Sequence, residues 1–302
     1  MAALPEERII APYRDSVVEE IVRALGLPPS GAAPRLLGPL FRRPANRFAR
    51  LMAAADGLAV SEGLPGAARR VLELLGLEPV VRGSGRIPKD GPLIIASNHP
   101  GAYDSLAIMA AVPRTDLKVL ISDAGLTRAF PVCSGFFIFT AFTAAGGSRA
   151  LRESVRHLDA GGSLLIYPHV EVEPDPEVRP GAREALARWS PSLAIMLRRV
   201  PGARLEPTVA SGILLPRFVR SPLVKLRRHE AQRQKLAEVL QLVWQMIFPE
   251  RVRPVIRVSF GRPLGLRDLP EGRIMPAIIE AEGRLLDDHM ASLRGAENLP
   301  VP

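Results

Sequence analysis

From about residue 80 the chain alternates short apolar runs with segments of helical period, and this alternation restricts the fold more than any other feature of the sequence. The runs fall at 92–97, 117–122, 136–142, 163–167, 204–210 and 254–260. Each has the length and the β-branched or aromatic content of a strand. Between them, apolar residues recur every three or four positions, as in Leu151, Val155 and Leu158, or Leu236, Leu240, Val243 and Ile247. Strands joined by crossover helices pair in parallel, because the helix carries the chain back to the starting edge. The sequence therefore predicts an α/β fold with a mostly parallel central sheet flanked by helices. The last run alternates Val252, Ile256, Val258 and Phe260 with Arg251, Arg253, Arg257 and Ser259, the pattern of a one-sided strand.

Helix signals mark the connections. Ser148 can cap the helix of Leu151, which Gly161-Gly162 ends, and Ser190-Pro191 reads as an N-cap followed by Pro at the first helical position. A final helix is expected over 271–292. Residues 1–80 read as an N-terminal helical extension. Ser16 and Glu19 match a capping box ahead of Val17, Ile21, Val22 and Leu25, and Gly26 with Pro28-Pro29 ends that helix. The Pro- and Gly-rich residues 27–46 read as a connection. A second helix is expected from Asn46 and a third from Ala67 to Leu75, before Gly76. The expected organisation is a helical region at 1–80, an α/β domain at 81–265, and a C-terminal helix and tail at 266–302.

Composition narrows the function classes. A single cysteine, Cys133, excludes an internal disulfide and a thiolate metal site, and its apolar neighbours suggest a small buried side chain. Residues 129–148 carry no charge, which is about the length of a membrane span. Pro131, Gly135 and Gly146-Gly147 interrupt that stretch, and Phe136 to Phe139 suits a buried strand better. The N-terminal MAALPEERIIAPYRD places Glu6, Glu7 and Arg8 where a secretory signal needs an apolar core. A net charge of +9 favours polyanionic partners. With aromatics at 5% and no nucleic-acid module, anionic lipid or acidic carriers and cofactors fit better than nucleic acid. Arg217, Arg220, Lys225, Arg227, Arg228, Arg233 and Lys235 gather against one Glu230, either as a solvated helix face or as a docking surface for anionic headgroups.

The chemistry centres on ASNHPGAYDS at 96–105. An apolar strand runs into Asn98 and His99, a Pro100-Gly101 turn follows, and Asp104 opens an apolar helix. Of the five histidines only His99 has Asp five positions on. A neutral imidazole can take a proton from an alcohol, and a carboxylate on its other nitrogen fixes the tautomer and stabilises the imidazolium. There is no G-x-S-x-G elbow to supply a nucleophilic serine, so such a base would activate the substrate's own hydroxyl.

NHPGAYDS resembles the H-x-x-x-x-D motif of the glycerolipid acyltransferases, the lysophosphatidic acid acyltransferase-like superfamily. Further segments follow in the family's order: FFIF at 136–139, SLLIYP at 163–168, VRPGA at 178–182 and LEPTVASG at 205–212. Together they cover roughly residues 80–262. The resemblance implies a transfer of a fatty acyl group from a thioester of coenzyme A or acyl carrier protein to a lipid hydroxyl. His99 would be the general base and Asp104 its support. It implies no bound cofactor and no metal, with the acyl thioester as co-substrate.

The chain departs from the family where the third motif should continue Glu-Gly-Thr-Arg. It reads His169-Val170-Glu171-Val172 instead, and Thr140 stands where the second motif carries Arg. The arginine usually linked to the acceptor's phosphate is thus missing. Candidate substrate-binding residues are Asn98, Arg149, His169, Glu171, Arg179 and Arg183; Arg179 or Arg183 can grip a phosphate with two parallel hydrogen bonds. In an extended chain His169, Glu171 and Glu173 share a side and can hold a divalent cation, but the stretch reads better as a solvated acidic loop. The expected setting is cytoplasmic and peripheral, on the anionic inner face of a membrane. The alternatives are a lipid-binding protein that keeps the fold without catalysis, and a thioester hydrolase.

Overall fold

The computed structural model describes residues 6–141, 143–169 and 171–297. Residue 142, at the end of one predicted strand, lies outside them, as do residues 1–5 and 298–302 of the predicted N-terminal region and tail. Three helices come first: α1 (Glu6–Ala24), α2 (Ala32–Asp56) and α3 (Ala59–Leu75). Then follow β1 (Val80–Arg82), β2 (Leu93–Ser97), α4 (Ala102–Ala111), β3 (Leu117–Ser122), a turn of helix α5 (Gly125–Arg128), β4 (Phe137–Thr140), α6 (Ala144–Asp159) and β5 (Ser163–Ile166). The remainder is α7 (Ala182–Leu186), α8 (Ser192–Arg199), β6 (Arg204–Ser211), α9 (Pro216–Val219), α10 (Glu230–Ile247), β7 (Arg257–Phe260), β8 (Leu264–Gly265) and α11 (Ile274–Glu297).

The strands form one sheet in the order β1-β7-β6-β2-β5-β3-β4, with β8 beside β6. Pairing is parallel except where β7 and β8 run antiparallel to β6. All six predicted strands are present. β1 and β8 were too short to carry a periodic signal. β2 lies between β5 and β6, and all five of its residues are buried. Its side chains feed two cores with period two. Leu93 and Ile95 pack with α1–α4, while Ile94 and Ala96 pack with α6, α8 and α11. Burying Leu93, Ile94 and Ile95 is worth roughly 1.5–3 kcal/mol each, which holds β2 in the centre and its C-terminal end in place.

The helical N-terminus differs in detail from the sequence reading. α1 begins at Glu6, so Ser16 and Glu19 lie inside it and form no capping box. α2 runs from Ala32 through Pro39 and Pro44, so the stretch taken as a connection is mostly helix. Proline costs a helix one hydrogen bond; here Ala45, Ala49 and Met52 are buried and tertiary packing outweighs that loss. α3 starts at Ala59 and bends at Gly63, whose positive φ puts it against the Thr115 backbone; an added Cβ would sit 2.6 Å from the Thr115 carbonyl oxygen. Its end at Gly76 is as predicted, in the left-handed conformation that favours glycine. α6 begins four residues before Ser148, with the Thr143 hydroxyl accepting from the Gly146 N–H at 3.1 Å.

β4 is an edge strand, and of its residues only Ile138 is fully buried. The expectation of a buried strand there holds for one side chain. Cys133 is buried, as expected, and burial pushes its thiol well above the usual range. Among the described residues no helix is long and apolar enough to cross a membrane.

Candidate active site

β2 ends at Ser97 with a change of partner. Asn98, itself buried, continues the pairing to β6 with its side chain: Nδ2 donates to the Ala210 carbonyl at 2.9 Å, and Oδ1 accepts the Ala210 N–H at 2.8 Å. Both polar ends of Asn98 are therefore committed to the fold. His99 follows at the C-terminal rim of the sheet, and Gly101 opens α4. Gly101 packs closely, since an added Cβ would lie 3.1 Å from Ile213.

Asp104 sits in the first turn of α4, fully buried. It accepts from the Gly101 N–H at 2.9 Å, from the Ser105 hydroxyl at 3.0 Å and from His99 Nδ1 at 3.0 Å. The five-residue spacing is thus the span from a strand end, through a two-residue turn, to the third position of a helix. Three donors converge on the carboxylate, which fixes the proton of neutral His99 on Nδ1 and leaves the lone pair on Nε2. Among the described residues Nε2 has no hydrogen-bond partner, and the side chain is 29% exposed. Tyr167 stacks beside the imidazole, with ring centroids 4.3 Å apart, and donates to Ser105 at 2.8 Å. The His99 pKa lies above its ordinary value. Burial, the largest single influence, lowers it, but the charge and hydrogen bond of Asp104 and the charge of Glu238 together outweigh burial.

Glu173 is a residue that sequence reasoning treated as part of a solvated loop. It is buried, and its carboxylate accepts from the His99 backbone N–H at 2.8 Å and from Trp189 Nε1 at 2.9 Å. Its own N–H donates to the His99 carbonyl at 2.8 Å. Two positions on, Asp175 accepts the N–H groups of Gly212, Ile213 and Leu214. Glu177 pairs with Arg257 at 2.8 Å. The acidic loop is therefore a row of inward-facing carboxylates that ties His99 to the ends of β6 and β7. The solvated reading fails for Glu173 and Asp175, which are buried; backbone donors offset part of their desolvation, and burial still pushes both pKa values up, that of Asp175 to about 6. Glu171 is exposed as expected, and His169 Nδ1 turns to the Glu171 backbone, 3.1 Å from its nitrogen. His169, Glu171 and Glu173 do not converge, and no group of three ligating side chains occurs among the described residues.

The arginine candidates fall in separate places. Arg179 is paired with Glu230, and Arg183 with Asp287 of α11 at 2.7 Å. Arg149 is exposed on α6, near enough to Asp123 to hold that carboxylate below its usual range, after the larger effect of Arg128. Arg128 was not singled out in the sequence. It pairs with Asp123 at 2.8 Å and lies over the Phe139 ring at 3.7 Å, beyond the ends of β3 and β4. Glu238 of α10 braces the turn from the other side, accepting the Ala102 N–H at 2.5 Å and pairing with Lys235 at 3.3 Å.

No family model and no curated protein sequence matches the chain. A search of solved structures finds the crystal structure of the 1-acyl-sn-glycerophosphate (LPA) acyltransferase PlsC from Thermotoga maritima. The similarity covers 94% of this chain and 97% of that one, at a TM-score of 0.50 and 15% sequence identity. The two share a fold: a mostly parallel sheet flanked by helices.

Proposed function

We propose that the protein is an acyltransferase that moves a fatty acyl group from a thioester, of coenzyme A or an acyl carrier protein, to the hydroxyl of a glycerolipid or related lipid. One observation carries this reading: His99 has Nδ1 fixed by a buried, fully donated carboxylate and Nε2 open at the rim of the sheet. In this mechanism the acceptor hydroxyl approaches Nε2 and gives up its proton. The oxygen attacks the thioester carbonyl, and a tetrahedral intermediate forms. Its collapse breaks the C–S bond, and the thiolate leaves with the proton that His99 received. Asp104 holds the ring in place and stabilises the imidazolium between these steps.

Arg149, near the start of α6 just after β4, lies toward the end of the sheet where His99 emerges and supplies positive charge for an acceptor's headgroup. Arg128, Arg179 and Arg183 are less suited, because each has an acidic partner. The acceptor reaches the site from a membrane on which the protein docks peripherally, on the cytoplasmic side. Arg217, Arg220, Lys225 and Arg228 are exposed on the segment leading into α10, which also carries the exposed Leu223 and Leu226, and Trp244 and Ile247 are exposed toward the C-terminal end of α10. Arg233 and Lys235 of the same basic cluster pair with Glu230 and Glu238.

The test is thiol release from long-chain acyl-coenzyme A and acyl carrier protein, with a panel of lysophospholipids and other hydroxyl acceptors. Wild type is expected to release thiol only with an acceptor present, and His99→Ala to lose about 10²–10⁴-fold of that rate. Release that needs no acceptor would make the protein a hydrolase. Absence of release with every pair would leave lipid binding without catalysis.

A further inference from the structure

A second cleft, of about 500 Å³, lies at the same end of the sheet as His99 but on the opposite face. The faces follow from the strand alternation. α4, which carries Asp104, packs with Leu93, Ile95, Ala210 and Val258. Ser211 and Ser259 alternate with Ala210 and Val258 and meet His289 of α11 on the other side. The cleft is walled by β1, β7 and the C-terminal part of α11.

Its polar wall is built in advance. Ser211 donates its one hydroxyl proton to Glu177 at 2.5 Å, so at 2.7 Å it accepts from His289 Nε2–H. His289 Nδ1 then accepts from the Ser259 hydroxyl at 2.7 Å. His289 is thus a neutral, satisfied imidazole. Burial first, then the charges of Arg257 and Arg82, push its pKa down to about 4. Glu177 is the one acidic residue in the lining, and its charge is engaged by Arg257. The side chain of Arg82, on the exposed edge strand β1, makes no hydrogen bond or ion pair among the described residues. Arg257 and Arg294 complete the basic lining, and Met290 and Leu293 form an apolar wall beside it.

We infer that this cleft binds a small phosphorylated organic molecule, its phosphate held chiefly by Arg82, with Arg257 adding charge that it shares with Glu177, and its apolar body against Met290 and Leu293. The planar guanidinium of Arg82 matches two of a phosphate's oxygens. The volume lies in the range of small-ligand sites, and a bare inorganic ion would leave most of it unfilled. The inference does not depend on acyl transfer at His99.

Calorimetric titration with hexyl phosphate at fixed ionic strength tests it. Saturable binding is expected for wild type and for His99→Ala, weakened at least about tenfold in Arg82→Glu. Arg82 is exposed on an edge, so that change leaves the core intact. Heat no greater than with sodium sulfate, binding indifferent to Arg82→Glu, or binding lost in His99→Ala would each overturn it. Vesicles of equal charge, made with phosphatidic acid or with phosphatidylglycerol, separate the two sources of the phosphate. A preference for phosphatidic acid that Arg82→Glu removes assigns the ligand to a lipid headgroup. Equal binding to both vesicles, with hexyl phosphate bound in solution, assigns it to a soluble phosphate ester.

Discussion

His99 and Asp104 are five residues apart, and that short separation is why the pair was legible: a strand end, a turn and a helix start bring the two side chains together without help from distant sequence. Their contact carries a pH prediction. Burial lowers the His99 pKa, but Asp104 and Glu238 more than reverse that effect, so the net shift is upward. A base works only when neutral, so acyl transfer should rise with pH through a midpoint above the ordinary histidine value of about 6.5. Asp104→Asn removes the main upward influences and leaves burial in place. The plateau rate should fall about 10²–10⁴-fold, and the midpoint should move to lower pH. A pH–rate profile of the variant reads both effects. A lowered plateau with an unmoved midpoint would show that Asp104 braces the turn without tuning the base.

At the scale of the element, the 169–177 loop is where sequence and structure part. The sequence shows carboxylates alternating with Val and Pro and no basic residue among them, which reads as solvated chain. Their donors lie far away along the chain: Glu173 meets His99 across 74 residues, Asp175 meets Ile213 across 38, and Glu177 meets Arg257 across 80. No local period encodes such pairings. α2 was misread for the converse reason, since its prolines are local signals that tertiary burial overrides. The strands were legible because a strand buried on both faces is a short, continuous run of apolar and β-branched residues whatever its partner is, as Leu93 to Ala96 show. The loop also predicts a contrast between neighbours. Glu173→Gln places an amide NH₂ against the His99 N–H or the Trp189 Nε1–H and loses a charge-assisted bond at the base. It should lower kcat by about tenfold or more and cost roughly 1–3 kcal/mol of stability. Glu171→Gln, on the exposed side, should change stability by less than about 0.5 kcal/mol. Urea unfolding and steady-state kinetics of the two variants check this; equal effects would mean that the inward row does not hold His99.

For the whole molecule, the net charge of +9 was plain from composition, but its distribution was not. Folding divides the basic cluster: Arg233 and Lys235 turn to acidic partners, while Arg217, Arg220, Lys225 and Arg228 stay exposed, Arg217 bonded to the Arg251 carbonyl just past the C-terminal end of α10 and Arg228 just ahead of its N-terminus. The N-terminal helices share one core with the sheet, Ile10, Tyr13, Ala49 and Val71 packing in the same cluster as Leu93 and Ile95. Met246 of α10 is buried in the same cluster, so the α10 tip is anchored to the body of the fold and not carried on a tether. That geometry gives the membrane proposal an optical test, because the two tryptophans report on different places. Trp189 is 5% exposed against Glu173, whereas Trp244 is 44% exposed and stacks on Phe248 at the α10 tip. Adding anionic vesicles at low salt should shift the emission to the blue as Trp244 enters the headgroup region. Trp244→Phe should abolish the shift and leave the Trp189 emission unchanged. Arg220→Glu combined with Arg228→Glu should weaken partitioning by about 1 kcal/mol or more per charge, since each basic residue near an anionic surface is worth about that much. Raising the salt should weaken wild-type binding by screening the same attraction. A shift that persists in Trp244→Phe, or partitioning indifferent to both salt and the charge reversals, would place the docking face elsewhere on the molecule.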